Sequence, residues 1–349
     1  MINVVMISVR DYADSGKRIL EALSFQEGIS TNYICLHKKG DHFPPKWRRY
    51  SINREDVCSI ESADVVIFKG DEMPSVSESG EITMVEKKSA YEDRRIIKYR
   101  VPARVGKNAK KILIAGGSGF RRKVPPMDSS IIDEEGFEWF DIDEYYRNVD
   151  KILTTSPDIA YKVYGAEHLG FAINSSMHLS SWVERSTIVI SCYQIPKGRR
   201  DRKGVNTYLV PAITKLAKEG IKVKLSDIVG CSYSESIRIK AESSVYFESI
   251  YTLGAYGNSG VEAMSRGIPV MGFISDMAIE QAGTEDYASP IIKLQPSVDD
   301  VYDKIKKMIS GEINLHYVSE QSKGYCDKYH SYESVGGKLA QYIKNLCGK

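Results

Sequence analysis

At 349 residues the chain has room for two domains of ordinary size, and its 42% hydrophobic and 27% charged residues are those of a globular protein with apolar cores. Lys and Arg number 48 against 46 Asp and Glu, a net charge of +2, which excludes a strong overall field for nucleic acid or membrane and leaves room for a local basic patch. The scattered cysteines (Cys35, Cys58, Cys192, Cys231, Cys326 and Cys347) form no Cys-x-x-Cys pair and are expected to be reduced thiols of a cytoplasmic protein. No signal peptide is expected, and no apolar run approaches the ~20 residues that cross a bilayer. Peripheral membrane association stays open, and no feature sets an oligomeric state.

In chain order, Ile2 to Ser8 is a short apolar run suited to a buried parallel strand, and Lys17 to Leu23 has helical spacing. Strand-like runs follow at Asn32 to Leu36, Ala63 to Gly70, Lys111 to Ala115 and Lys151 to Thr155. The charged interval Ser75 to Arg100 breaks the pattern and predicts a hairpin-like insertion. Residues 122–140 form a polar loop ending in Phe137, Trp139 and Phe140. A second series begins at Ser186, with strands at Thr187 to Tyr193, Val223 to Val229, Val245 to Ile250 and Pro269 to Ile274. Helices are predicted at Gly204 to Glu219, Ser232 to Glu242, around Glu262, at Val298 to Ser310 and from about Glu320 to Leu346. Continuous apolar strands separated by helices predict parallel sheets covered on both faces, in two doubly wound, Rossmann-like α/β domains. The expected limits are 1–180, with the insertion near 75–100, then 181–330, with 331–349 a C-terminal helix packing back on the first domain. The boundary is expected near 175–186, where Ser175-Ser176 and Ser180-Ser181 interrupt the periodicity.

The stretch from Val245 to Ile274 is the most informative. A strand leads into a Gly-rich turn, then a short helix carrying Glu262, then Arg266-Gly267 and a strand opened by Pro269. Small residues running into a helix start present backbone N–H groups and a positive dipole end, which suit a phosphate. A carboxylate one turn inside such a helix can grip both hydroxyls of a ribose. Together these describe a pocket for a nucleotide diphosphate, with Glu262 on the ribose and Gly257, Asn258, Ser259 and Gly260 at the diphosphate. The bland alternatives are a carboxylate that balances the helix dipole and a simple turn.

Tyr256-Gly257, Glu262-Ala263-Met264-Ser265-Arg266-Gly267-Ile268-Pro269-Val270, the earlier Lys203-Gly204, Gly117-Ser118-Gly119-Phe120-Arg121 and Thr155-Ser156-Pro157-Asp158 together resemble the GT-B glycosyltransferases, family-4-like group. The likeness covers residues 110–275 and is sharpest over 254–270. It departs from the group at Gly254, where many members carry a second Glu, and at Gly119, where an Asp is frequent.

The resemblance implies two domains facing a cleft and transfer of a sugar from a nucleotide-diphosphate donor, with retention of configuration and no cofactor or metal. Negative charge then builds on the departing diphosphate, and fixed cations stabilise it. Arg202 and Lys203, in the basic run Lys197 to Gly204, are the candidates; a solvated basic loop is the alternative. Ser15 and Gly16, at the carboxyl edge after the first strand, and Gly117, Ser118 and Arg121 are candidate ligand contacts of the N-terminal domain. Asp71, with Glu72 beside it, is the candidate for orienting an acceptor hydroxyl. The acceptor is a surface glycan, a lipid-linked saccharide or modified DNA. A non-catalytic nucleotide- or carbohydrate-binding protein of the same fold is the rival, motivated by Gly254 and Gly119. His37, His42, His168 and His178 are expected to be structural. A Glu262 side chain buried in packing, remote from any cleft, would remove the ground for the transferase assignment.

Overall fold

The computed structural model describes residues 1–9, 15–36, 52–70, 73–87, 96–116, 148–162, 165–174, 182–194, 201, 203–250, 256–275 and 290–349. The chain divides into two compact units, Met1–Ala172 with Val335–Lys349, and Ile173–Ser334.

In the first unit, strands β1 (Ile2–Ser8), β2 (Ile29–Cys35) and β3 (Val65–Gly70) alternate with helices α1 (Ser15–Ser24) and α2 (Arg54–Glu61). Helix α2 carries a short apolar pair, Val57 and Ile60, one turn apart; its start is fixed by Asn53, whose side chain accepts from the Asp56 N–H at 2.7 Å. Strands β4 (Met73–Val76), β5 (Glu81–Lys87) and β6 (Ile96–Arg104) pair antiparallel as a separate three-stranded sheet. The expected insertion is therefore three strands rather than one hairpin. Its first turn closes with the Gly80 N–H donating to the Ser77 carbonyl at 2.8 Å, at a φ of 83° that favours glycine.

The chain continues through β7 (Lys110–Ala115), β8 (Lys151–Thr154), α3 (Pro157–Lys162) and the short β9 (Glu167–His168). The main sheet has the order β2-β1-β3-β7-β8-β9, all parallel. Val66, Phe68, Leu113 and Ile152 point into one core on its face. Both faces are covered, which is why these strands read as unbroken apolar runs.

In the second unit, β10 (Val189–Cys192) leads to a π-helical turn (Val205–Leu209) that runs into α4 (Val210–Lys218). The sequence pattern reads this as one helix. Pro211 has no N–H to donate, so a regular helix starts afresh beside it. Strand β11 (Lys224–Asp227), α5 (Tyr233–Ala241), β12 (Val245–Phe247), α6 (Asn258–Met264), β13 (Val270–Gly272) and β14 (Ile292–Lys293) follow, then α7 (Val298–Ile309), α8 (Leu315–Tyr329) and α9 (Tyr332–Cys347). The sheet order is β11-β10-β12-β13-β14, again all parallel. Its core joins Ile190, Leu209, Leu216, Phe247, Met271 and Ile305. Each unit is a Rossmann-like α/β domain.

Helix α9 crosses into the first unit and lays Gly336 on α1. A Cβ at Gly336 would stand 2.2 Å from the Ala22 carbonyl oxygen, whereas at Gly337 the nearest atom is the Gln26 Oε1 at 4.0 Å. Gly336→Ala should therefore lower stability in urea denaturation by about 1–3 kcal/mol through overpacking. Gly337→Ala should be neutral or stabilising, because a helical alanine replaces a glycine in open space.

Candidate functional site

The chain passes from β10 outward to β11, then back across to β12, β13 and β14 on the other side. The crossovers therefore diverge between the carboxyl ends of β10 and β12, where open α/β sheets take ligands. Two loops leave this point, one after each strand, and an ion pair between described residues joins them. Lys203 Nζ donates to Glu248 Oε1 at 2.6 Å. The Glu248 side chain is 4% exposed and that of Lys203 25%. The loops are joined again through the backbone, the Ile250 N–H donating to the Lys203 carbonyl at 3.0 Å.

Asp201 shapes the turn that presents Lys203. Its Oδ1 accepts from the N–H groups of Gly204 at 3.0 Å and Val205 at 3.1 Å, and its Oδ2 from the N–H of Thr207 at 2.8 Å and the Thr207 hydroxyl at 3.0 Å. One carboxylate thus takes up N–H groups that the first turn of a helix leaves without a carbonyl partner. The acidic residue in the basic run is a structural part of it.

Glycines surround Glu248. A Cβ on Gly260 would stand 2.8 Å from its Oε2, one on Gly257 3.3 Å from its Oε1, and one on Gly272 3.5 Å from its Cβ. The sequence reads Gly257 and Gly260 as part of a turn offering backbone N–H groups to a diphosphate; in the structure they also lie against the Glu248 carboxylate. Among the described residues Glu248 Oε2 is buried with no hydrogen-bond partner, and Oε1 is held by Lys203.

A second charge pair lies on the other side of α6. Lys240 Nζ donates to Glu262 Oε2 at 3.1 Å and to the Ser259 hydroxyl at 2.6 Å, and Tyr246 donates its hydroxyl proton to Ser259 Oγ at 3.0 Å. Asn258 Nδ2 reaches Glu262 Oε1 at 3.3 Å. Lys240 is 1% exposed and Glu262 4%. Burial pushes the Lys240 ammonium below the ordinary lysine range, against the pull of Glu262. Burial also raises the Tyr246 phenol well above its usual value, so it stays a neutral donor. A ribose at Glu262 would have to share that carboxylate with Lys240 and Asn258.

The structure thus brings Lys203, Gly257, Asn258, Ser259, Gly260 and Glu262 together around the start of α6. Ser15 opens α1 and Gly16 is buried in it, at the carboxyl side of β1. Arg202, Asp71, Glu72, Gly117, Ser118, Arg121, Gly119 and Gly254 lie outside the described residues, as do His37, His42 and His178. His168 is buried, and its carbonyl accepts from Lys338 Nζ at 2.6 Å.

Sequence reasoning missed Glu248, Lys240 and Lys69. Lys69, 6% exposed near the end of β3, lies at the matching divergence of the first sheet, where Ser8 ends β1. A Cβ on Gly116, just past β7, would stand 3.1 Å from Lys69 Nζ and 3.0 Å from Thr155 Oγ1. The signal for Lys69 and Glu248 was their place at the carboxyl end of an apolar strand. Among the described residues no group of three His, Cys, Asp or Glu side chains is placed to hold a metal ion, and no helix is long and apolar enough to cross a membrane.

No protein-family model matches the chain, and no curated protein sequence does. Solved structures do match over its whole length. A glycosyltransferase from Rickettsia africae superposes with a TM-score of 0.57 at 12% identity, covering 99% of both chains. Anabaena HepE, in complex with UDP and glucose, superposes with a TM-score of 0.53 at 8% identity, covering 99% of this chain and 100% of that one. TarM from S. aureus, in a mutant form with UDP and saccharide ligands, gives 0.54 at 9% identity, covering 98% and 100%. The chain has the GT-B glycosyltransferase fold. Within this GT-B chain the second domain carries the charged cluster around α6.

Two outcomes are expected from the geometry of this GT-B domain. Lys240→Met should destabilise folding by about 3–5 kcal/mol, since it strands the Glu262 charge, and adding Glu262→Gln should restore most of that loss in the same urea titration. Asp201→Ala should cost about 0.5–2 kcal/mol, as the loss of a helix cap does, and should leave far-ultraviolet circular dichroism unchanged at 25 °C.

Proposed function

We propose that the chain is a glycosyltransferase that moves a sugar from a nucleotide diphosphate to an acceptor hydroxyl. The observation that carries this reading is the Lys203 ammonium, held by Glu248 at the strand divergence of the second domain of a GT-B fold. Because Glu262 is buried and engaged by Lys240, the assignment leans on Lys203 and the fold rather than on an open Glu262.

In the proposed reaction the bond between the anomeric carbon and the β-phosphate oxygen breaks, and the acceptor oxygen attacks the same face. Its proton passes to the departing phosphate oxygen, so configuration is retained without a protein nucleophile. Lys203, with Arg202 beside it, stabilises the charge that grows on the diphosphate, and no metal is needed for that task. The α6 start, from Gly257 to Gly260, lies beside the diphosphate, and Glu262 beside the ribose. Asp71 orients the acceptor hydroxyl, and Ser15, Gly16, Gly117, Ser118 and Arg121 are phosphate or sugar contacts of the first domain. The acceptor is a glycan or lipid-linked saccharide, with DNA as a further option, and the protein works in the cytoplasm or at the membrane surface.

The Anabaena protein is solved with UDP and glucose, so a uridine-diphosphate sugar is the first donor to offer. A panel of sugar nucleotides, with release of nucleoside diphosphate followed over time, should give turnover with at least one donor. Binding of a donor without turnover on any acceptor would instead favour a non-catalytic binding protein. Steep loss of acceptor affinity with added salt would mark DNA, and a shallow slope a neutral glycan.

A further inference from the structure

The geometry points to Glu248 as a positioning residue that acts through Lys203, an inference that rests on the donor-site reading above. Lysine has a long flexible stem, and a cation that is to meet a growing charge is worth most when it is already in place. Here the stem enters from the loop after β10, and the partner carboxylate comes from the loop after β12. The pair therefore spans the point where the crossovers diverge.

Three features show that Glu248 is built for this contact. Its side chain is almost wholly buried while that of Lys203 is a quarter exposed, so the acid is the fixed member and the ammonium the accessible one. Gly260 leaves out a Cβ that would collide with it, and Gly257 one that would crowd it. Its second oxygen is buried and, among the described residues, has no hydrogen-bond partner, so Lys203 is the cation that hydrogen-bonds this carboxylate there. A buried, half-satisfied carboxylate is costly for stability alone. Its return is a fixed ammonium whose outer side remains open to an anion.

The first test needs no catalysis. The full chain is acylated briefly with acetic anhydride, and modification of each lysine is read by mass spectrometry with and without UDP. Lys203 should react slowly in the wild type and several-fold faster in Glu248→Gln, which keeps the shape but drops the charge, while surface lysines such as Lys218 should not change. UDP should protect Lys203 in both proteins, less well in the variant. Unchanged labelling, with protection retained, would overturn the role of Glu248 and leave the donor site standing. Faster labelling with no protection by UDP in either protein would overturn the donor-site reading, and the positioning role with it.

The second test is kinetic, with whichever donor turns over. Glu248→Gln should lower kcat roughly tenfold, less than the ~100-fold or more that removal of a preorganised stabilising group costs. On a Lys203→Met background the same change should alter kcat by less than about twofold, because the two residues act as one unit. Equal losses on both backgrounds, or a higher kcat in Glu248→Gln, would overturn the proposal. Should Lys203→Met alone fail to fold, Glu248→Asp takes its place. That variant keeps the charge but withdraws it by one methylene, and its kcat should fall between those of the wild type and Glu248→Gln; a kcat at or below that of Glu248→Gln would overturn the proposal.

Discussion

A carboxylate enclosed by glycines and answered by one ammonium fixes the carboxyl edge of the second sheet. Glu248 leaves the end of β12 where the chain would otherwise continue outward as loop. Its N–H still donates to the Met271 carbonyl at 2.9 Å, so the backbone stays in register with β13 while the side chain turns to Lys203. The loop after β10 is thereby pinned twice, by the ion pair and by the Ile250 N–H on the Lys203 carbonyl. Asp201 then determines how the chain enters the helix beyond. Coulomb attraction acts at full strength only where water is excluded, and Glu248 is buried.

The architecture was legible because its cause is written in the residues. A parallel sheet covered on both faces needs strands without polar alternation, and Val65-Val66-Ile67-Phe68 and Ile112-Leu113-Ile114 meet that demand. The boundaries were less legible for equally physical reasons. The run Val245 to Ile250 looks like one strand, yet the regular strand ends at Phe247; the backbone bonds to β13 and its flank run on through Glu248 and Ser249, while the Ile250 N–H turns to the Lys203 carbonyl. Helix α2 was invisible because its exposed face dominates: within Arg54–Glu61, Ile60 is the buried residue, with the partly buried Val57 one turn before it, and Asn53 caps the start.

The candidate site was half legible. The sequence marks where Cβ atoms are missing, at Gly257 and Gly260, but not what fills the space. A diphosphate and a glutamate both need bare backbone, and Glu248 lies too far along the chain from α6 for spacing to connect them. Lys240 was hidden more deeply. Lysines near helix ends normally run their stems to water. This one turns inward, donating to Ser259 and Glu262 of α6 with its ammonium 5.1 Å from the centre of the Tyr246 ring.

Helix α6 is consequently held from two sides by charge as well as by apolar packing. It has seven residues, too few to be stable by itself, and its first turn meets both pairs. Glu248 presses on Gly257 and Gly260, and Lys240 grips Ser259 and Glu262. Such pairs do little for net stability compared with apolar residues of equal size, but they fix position sharply, because a small displacement leaves a buried charge without its partner. The helix start is thus held on one side by the Glu262 pair and bordered on the other by the Glu248 pair, through two carboxylates fourteen positions apart in the sequence.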